Sequence, residues 1–211
     1  MHIRPYSPPD YDSCEATSHP ALTSAIPLVP YVYAIPYLFY SPDYCFVLVT
    51  DDSDIPKPNQ ISIQPTSKER TGNVVGFILG TPSTIDFVSE YASNYNPELP
   101  ELELSTAVDI LTRDALRPQR MLVGLESKWP AHLHINILPG WQGGGWGAKL
   151  INTLLEKLKG EGVRGVHLGM AEDNDGAGRF YKRCGFQLAS EIPEVPQEGM
   201  KGAKWFVKDL Q

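Results

Sequence analysis

Residues 131–160 constrain the fold more than any other stretch, because the hydrophobic period changes there from two to about 3.6 across a cluster of glycines. In AHLHINIL, residues 131–138, Leu133, Ile135 and Ile137 fall on one side and His132, His134 and Asn136 on the other. Such alternation describes a strand with one face against a core. From Trp146 onward, Leu150, Leu154 and Leu158, with Ile151 and Leu155, form one apolar helical stripe, and Gly160 is expected to stop it as the C′ residue. Between strand and helix stands Gln142-Gly143-Gly144-Gly145-Trp146-Gly147. Glycines let successive backbone N–H groups converge on an anion, and the free donors and positive dipole end of the following helix point the same way. Phosphate is the natural guest. The Walker pattern fails because no Lys-Ser or Lys-Thr follows the last glycine, and the dinucleotide fingerprint fails on glycine spacing.

The rest of the chain supplies the strands and helices of one α/β domain over residues 1–211, about the size of a single large domain. Strands are expected at 2–6, 44–50, 73–81, 163–170, 186–190 and 204–208, where β-branched and aromatic residues gather between turn signals. Gly76, inside one of them, suggests a bulge or a close backbone approach. Helices are expected at 10–17, at 105–116, where Val108, Leu111 and Ala115 share a face, and at 173–184, ending at Gly185. Prolines at 20, 27, 30, 36 and 42 permit only short helices, and the interleaved Tyr31, Tyr33 and Tyr37 suggest a wall or lid. Residues 51–71 read as a long hairpin loop, 82–129 as an insertion and 131–190 as the phosphate-binding core.

Charge and cysteine usage narrow the function. Eighteen Lys and Arg face 25 Asp and Glu, a formal net charge of −7. A sequence-blind nucleic-acid binder needs a basic surface, so the balance argues against nucleic acid and suits neutral or cationic small molecules. Cys14, Cys45 and Cys184 are far apart and follow no metal-ligand spacing, against both a disulfide framework and a metal site. No apolar run approaches the roughly 20 residues of a membrane helix. The expectation is a cytoplasmic protein without a membrane partner.

Downstream of the glycine turn, Asn174, Ala177, Phe180 and Tyr181 stand in N-x-x-A-x-x-F-Y, closed by Gly185-Phe186. Together with Q-x-x-G-x-G behind a strand, this pattern resembles the GCN5-related N-acetyltransferase (GNAT) superfamily. The resemblance implies a mixed, splayed central sheet flanked by helices, and acetyl-CoA as co-substrate. It implies that Gln142, Gly143, Gly145, Trp146 and Gly147 bind the pyrophosphate, that Ile137 and Leu138 pair with the acetyl-pantetheine, and that Asn174 hydrogen-bonds the pantetheine arm. Tyr181 would then stand near the thioester sulfur as general acid. Members include dimers, so a homodimer is left open.

The attacking amine must arrive neutral, which requires a base. His134 is the first candidate, being on the polar face of the strand before the turn, and His132 the second; either can instead satisfy hydrogen bonds within the sheet. Glu172 and Asp173 are carboxylate alternatives, Asp173 more simply a helix cap. His167 reads as structural. Asp86, Tyr31, Tyr33, His132 and Glu172 are candidates for acceptor binding, since carboxylates hold ammonium or hydroxyl groups and aromatic faces pack on sugars. Trp129 and Trp141 are adenine contacts, lid or core. Residues 43–48 (DYCFVL), 76–81 (GFILGT) followed by Asp86-Phe87, and 130–139 (PAHLHINILP) resemble the acetyltransferase-like domain associated with O-GlcNAcases and its free-standing microbial relatives. That implies a small-molecule amine acceptor such as glucosamine. A non-catalytic module of the same fold and a protein or histone lysine acetyltransferase are the alternatives.

Overall fold

The computed structural model describes residues 1–17, 26–51, 72–103, 105–191 and 202–211; the expected 51–71 loop lies, beyond Asp51, outside the described residues. Among the described residues, seven strands, β1 (His2–Pro5), β2 (Cys45–Val49), β3 (Val74–Thr81), β4 (Ala131–Ile137), β5 (Gly165–Ala171), β6 (Gln187–Leu188) and β7 (Ala203–Asp209), form one sheet in the order β1-β2-β3-β4-β5-β7-β6. Every neighbouring pair is antiparallel except β4 and β5, which run parallel. β6 is shorter than expected, because Ala189–Glu191 turns into a 3-10 helix.

Among the described residues, seven α-helices cover the sheet: α1 (Tyr11–Thr17), α2 (Val29–Tyr33), α3 (Ile35–Tyr40), α4 (Thr84–Asn94), α5 (Thr106–Ala115), α6 (Trp146–Gly160) and α7 (Asp175–Arg183). On one face, Leu150, Ile151, Leu154 and Leu158 of α6 are fully buried against Ile78, Leu133 and Val166. Each such side chain contributes roughly 1.5–3 kcal/mol, so this single helix face anchors the core. The expected stop at Gly160 shifts by two residues. Gly160 remains helical and Gly162 takes the left-handed conformation (φ 77°), its N–H bonding the Lys159 carbonyl while Val163 N–H bonds that of Leu158.

The opposite face carries a second core, in which Tyr37, Phe87 and Tyr91 pack on Val47, Phe77 and Leu79. The 82–129 segment is therefore part of the fold's own cover. It contributes α5 as expected and also α4, which the sequence reading missed. Its start is marked by Ser83, whose hydroxyl accepts the Asp86 N–H, and its buried face is Phe87, Val88 and Tyr91.

What positions the site is a parting of strands. β4 and β5 pair only at Ala131↔Val166 and His132↔His167, although β4 continues to Ile137 and β5 to Ala171. Leu138 N–H still bonds the Val75 carbonyl across β3. By antiparallel alternation the amides of Leu133, Ile135 and Ile137 then face away from β3, into the opening toward β5.

Candidate active site

The opening between the strands ends at the glycine turn. Gly143 (φ 80°) and Gly145 (φ 79°) adopt left-handed conformations, which place consecutive amides on one concave side. The N–H groups of residues 143–148 donate to no acceptor among the described residues, and the N-cap, Gly145, offers no side chain to them. Six free donors at the positive end of a 15-residue helix suit the two negative charges of a pyrophosphate. Gly147 has a packing reason as well, since a Cβ there would stand 3.0 Å from Phe180 Cζ. Trp146 is half-buried and carries the Lys149 ammonium 3.9 Å above its ring, a cation beside the turn that the sequence reading missed.

Two expected contacts are corrected here. Gln142 turns its amide to the strand, where Nε2 donates to the Ile137 carbonyl at 2.7 Å. It thereby satisfies the last strand carbonyl facing the opening and holds the turn against β4. Leu138 is not available to pair with a pantetheine, because its N–H is committed to Val75 and its carbonyl to Trp141 N–H. Ile137, and Ile135 before it, keep amides that face the opening.

Across the opening, α7 is capped by Asn174 and not by Asp173. Asn174 Oδ1 accepts Ala177 N–H at 3.0 Å, which leaves the amide NH2 as its outward donor. The helix ends at Gly185 (φ 83°), where Gly185 N–H bonds the Lys182 carbonyl and Phe186 N–H bonds that of Tyr181. Phe186 closes edge-on to Tyr181 at 5.9 Å, and Phe206 lies at 5.8 Å, so the tyrosine ring is fixed among apolar groups that include Leu133, Ile137, Leu168 and Met170 of the parted strands. Its hydroxyl is neither buried nor bonded to protein among the described residues. Burial of the ring pushes the phenol up to about 12, so it stays protonated at neutral pH.

On the polar face of β4, His132 and His134 have different surroundings. His132 is enclosed, with Nδ1 2.8 Å from Thr84 Oγ1 and Nε2 2.5 Å from Tyr37 Oη. Burial holds its pKa well below the usual histidine value, aided by His167, His134 and Arg120. It cannot touch a substrate, against the expectation. His134 is half-buried, with Tyr33 and Tyr37 presenting their rings at 5.4 and 5.2 Å. His167 is structural as expected, giving Nδ1–H to the Trp129 carbonyl at 2.7 Å.

The remaining candidates are scattered. Asp86 is exposed in the first turn of α4, at a helix start where a carboxylate meets the positive end. Tyr31 is half-buried, and its carbonyl accepts the hydroxyls of Tyr91 and Tyr95. Tyr37 is fully buried, stacked on Phe87 at 4.5 Å, and is no lid. Trp129 is core and bonds Asp209; Trp141 is half-buried against the α6 core. Glu172 is exposed in the turn between β5 and α7. Tyr33 and the buried Tyr37 of the expected aromatic wall both reach His134, and Arg120, unnoticed in the sequence, stands over the Tyr33 ring at 5.4 Å from its centroid while bonding the carbonyls of Val32 and Asp114. Among the described residues no group of acidic, His or Cys side chains could hold a metal, and no helix is long and apolar enough to cross a membrane.

Comparison with known proteins bears on this geometry. The model of the acetyltransferase (GNAT) family matches residues 31–186. The chain belongs to that family. Its enzymes are acetyl-CoA-dependent N-acetyltransferases acting on amines, and the nest at residues 143–148 fits the phosphates of that co-substrate. The crystal structure of SsHAT is similar over 100% of this chain and 98% of its own, with 30% identity and a TM-score of 0.76. Ard1 from Thermoplasma volcanium covers 100% of this chain and 97% of its own at 18% identity and TM-score 0.55, a likeness of fold alone. The uncharacterized N-acetyltransferase MJ1207 of Methanocaldococcus jannaschii is 41% identical over 64 residues, 30% of this chain and 28% of that relative's length.

Proposed function

We propose that this chain moves the acetyl group of acetyl-CoA to a primary amine of a small molecule, by direct attack with both substrates bound. The observation that carries the reading is the conjunction of the parted β4 and β5 with the free N–H groups of residues 143–148 at the end of the opening. Acetyl-CoA supplies the thioester. Gly143, Gly145, Trp146 and Gly147 hold its phosphates, the amides of Ile135 and Ile137 align the arm and polarise the acyl carbonyl, and Asn174 offers its amide NH2.

His134 takes the proton that the acceptor ammonium must lose, and the N–C bond forms as the C–S bond breaks. Tyr181 gives its proton to the departing sulfur; its raised pKa keeps that proton in place beforehand. No acyl-enzyme is needed: Cys184 sits at the end of α7 with its thiol pushed up by burial, the wrong direction for a nucleophile. Tyr33 and the exposed Glu172 are the acceptor-side contacts. An amino sugar such as glucosamine is the acceptor we favour, supported by the resemblance carried by residues 43–48, 76–81 and 130–139 and by the aromatic edges around His134. Free thiols at Cys14, Cys45 and Cys184 accord with a cytoplasmic setting.

The test is thiol release from acetyl-CoA against glucosamine and its phosphate, polyamines, arylamines, amino acids and a peptide amine, with Tyr181→Phe beside the wild type. Turnover with the amino sugars that drops at least tenfold in Tyr181→Phe, with the KM for acetyl-CoA unchanged, is expected. Turnover with peptides alone refutes the acceptor, and failure to bind CoA at all makes the chain a non-catalytic module of the same fold.

A further inference from the structure

We infer that His132 is a positioning residue of the acetyl transfer, acting through its hydrogen bond with Tyr37 to set the orientation of His134. The inference rests on the proposed role of His134 and extends it to a residue that touches neither substrate.

The protons in this cluster can be placed. Thr84 Oγ1 lies 2.7 Å from the Pro130 carbonyl, which can only accept, so the threonine proton is committed there. Thr84 Oγ1 must then accept from His132, which puts the imidazole proton on Nδ1. Nε2 is left with a lone pair and accepts the Tyr37 hydroxyl proton at 2.5 Å. The chain thus has one direction, Tyr37 O–H to His132 Nε2 and His132 Nδ1–H to Thr84, and ends on the backbone just before β4. Burial, which disfavours a charged imidazole here, keeps His132 in this neutral form.

The consequence appears on the far side of Tyr37. Its ring is clamped three ways: the hydroxyl by His132, one face by Phe87 at 4.5 Å and 22°, and its contact with His134 at 5.2 Å and 76°. Tyr33 meets His134 from a second direction at 5.4 Å and 69°. His134 therefore sits against two tyrosine rings in T-shaped contact, one of which is held at its hydroxyl by His132. The two histidines are on the same face of one strand with ring centroids 6.2 Å apart, so a change at His132 reaches His134 through Tyr37 as well as through the strand.

Asparagine and glutamine separate the two bonds. The Asn amide falls near the place of Nδ1 and the Gln amide near that of Nε2. His132→Gln keeps an acceptor for Tyr37 and loses the Thr84 bond; His132→Asn keeps the Thr84 bond and leaves the Tyr37 hydroxyl without its partner. The experiment measures kcat, the KM for acetyl-CoA and Tm for His132→Gln, His132→Asn, Tyr37→Phe and His134→Gln in the full chain. Expected are a kcat lowered roughly 10–100-fold in His132→Asn and Tyr37→Phe, a kcat within about threefold of wild type in His132→Gln, and an acetyl-CoA KM unchanged throughout, as for loss of alignment alone. Equal kcat in the Asn and Gln variants, or losses that only follow Tm, overturn the inference while a dead His134→Gln keeps the base assignment. A fully active His134→Gln overturns the base assignment and the inference with it.

Discussion

Gly145→Ala is the sharpest perturbation of the proposed phosphate nest, and Gly147→Ala is its control. Gly145 has φ 79° and ψ −1°, and a Cβ built on it meets nothing within 4 Å. The cost of alanine there is conformational rather than steric, about 1–2 kcal/mol for an L-residue in the left-handed region. For a chain of this length that lowers Tm by roughly 2–8 °C. If the alanine relaxes out of the region, the N–H groups of residues 145 and 146 swing off the concave side. A hydrogen bond to a charged group contributes about 1.5–3 kcal/mol, so losing one or two costs about 1.5–6 kcal/mol. The Kd for CoA then rises by at least about tenfold. Gly147 is helical and its Cβ meets Phe180 at 3.0 Å, so Gly147→Ala strains packing by about 1–3 kcal/mol and leaves the amide directions alone. Isothermal titration with CoA and a thermal melt of both variants give the comparison. A Gly145→Ala protein that binds CoA within twofold of wild type, or a Gly147→Ala protein that loses affinity without losing Tm, refutes the reasoning.

Acid should destabilise the protein early. His132 and His167 have folded pKa values below the unfolded value near 6.5, so their contribution is present above that pH and is lost as pH falls, at up to about 1.4 kcal/mol per pH unit for each; urea midpoints from pH 7.5 to 5 measure the slope. Alkali should act on tyrosines: Tyr181 and Tyr6 are raised to about 12 by burial, so their contribution is whole below pH 10 and falls as pH rises toward 12, a loss that phenolate absorbance at 295 nm should follow in step with unfolding. The same shift predicts no alkaline loss of kcat from Tyr181 up to about pH 10, which a pH–rate profile tests. Trp205 Nε1 is the buried side-chain polar atom with no partner among the described residues, so Trp205→Phe should leave Tm unchanged or raise it; a fall of more than a few degrees would mean the N–H is bonded.

The strands, the glycine turn and the helices α6 and α7 that flank the opening were legible because each is written locally, in a period, a cap or a glycine in the left-handed region. α4 escaped notice although Ser83 and Asp86 mark its start and Phe87, Val88 and Tyr91 its buried side, because residues 82–129 read as an insertion and Asp86 as an acceptor contact. The partners of Gln142 and Leu138 were not legible, since they depend on which strand lies alongside and in what register. The two histidines make the limit clearest. They share one face of β4 and nothing in the sequence separates them, yet His132 stands opposite His167, in the last pair before β4 and β5 part. Two residues further on, about 6.6 Å along the strand, His134 is past the point where the neighbour departs. The same side chain is thus a closed structural link on one side of the parting and, on the other, the half-buried residue we propose as the base. The difference arises from where two distant strands cease to pair, and that is a property of the whole sheet.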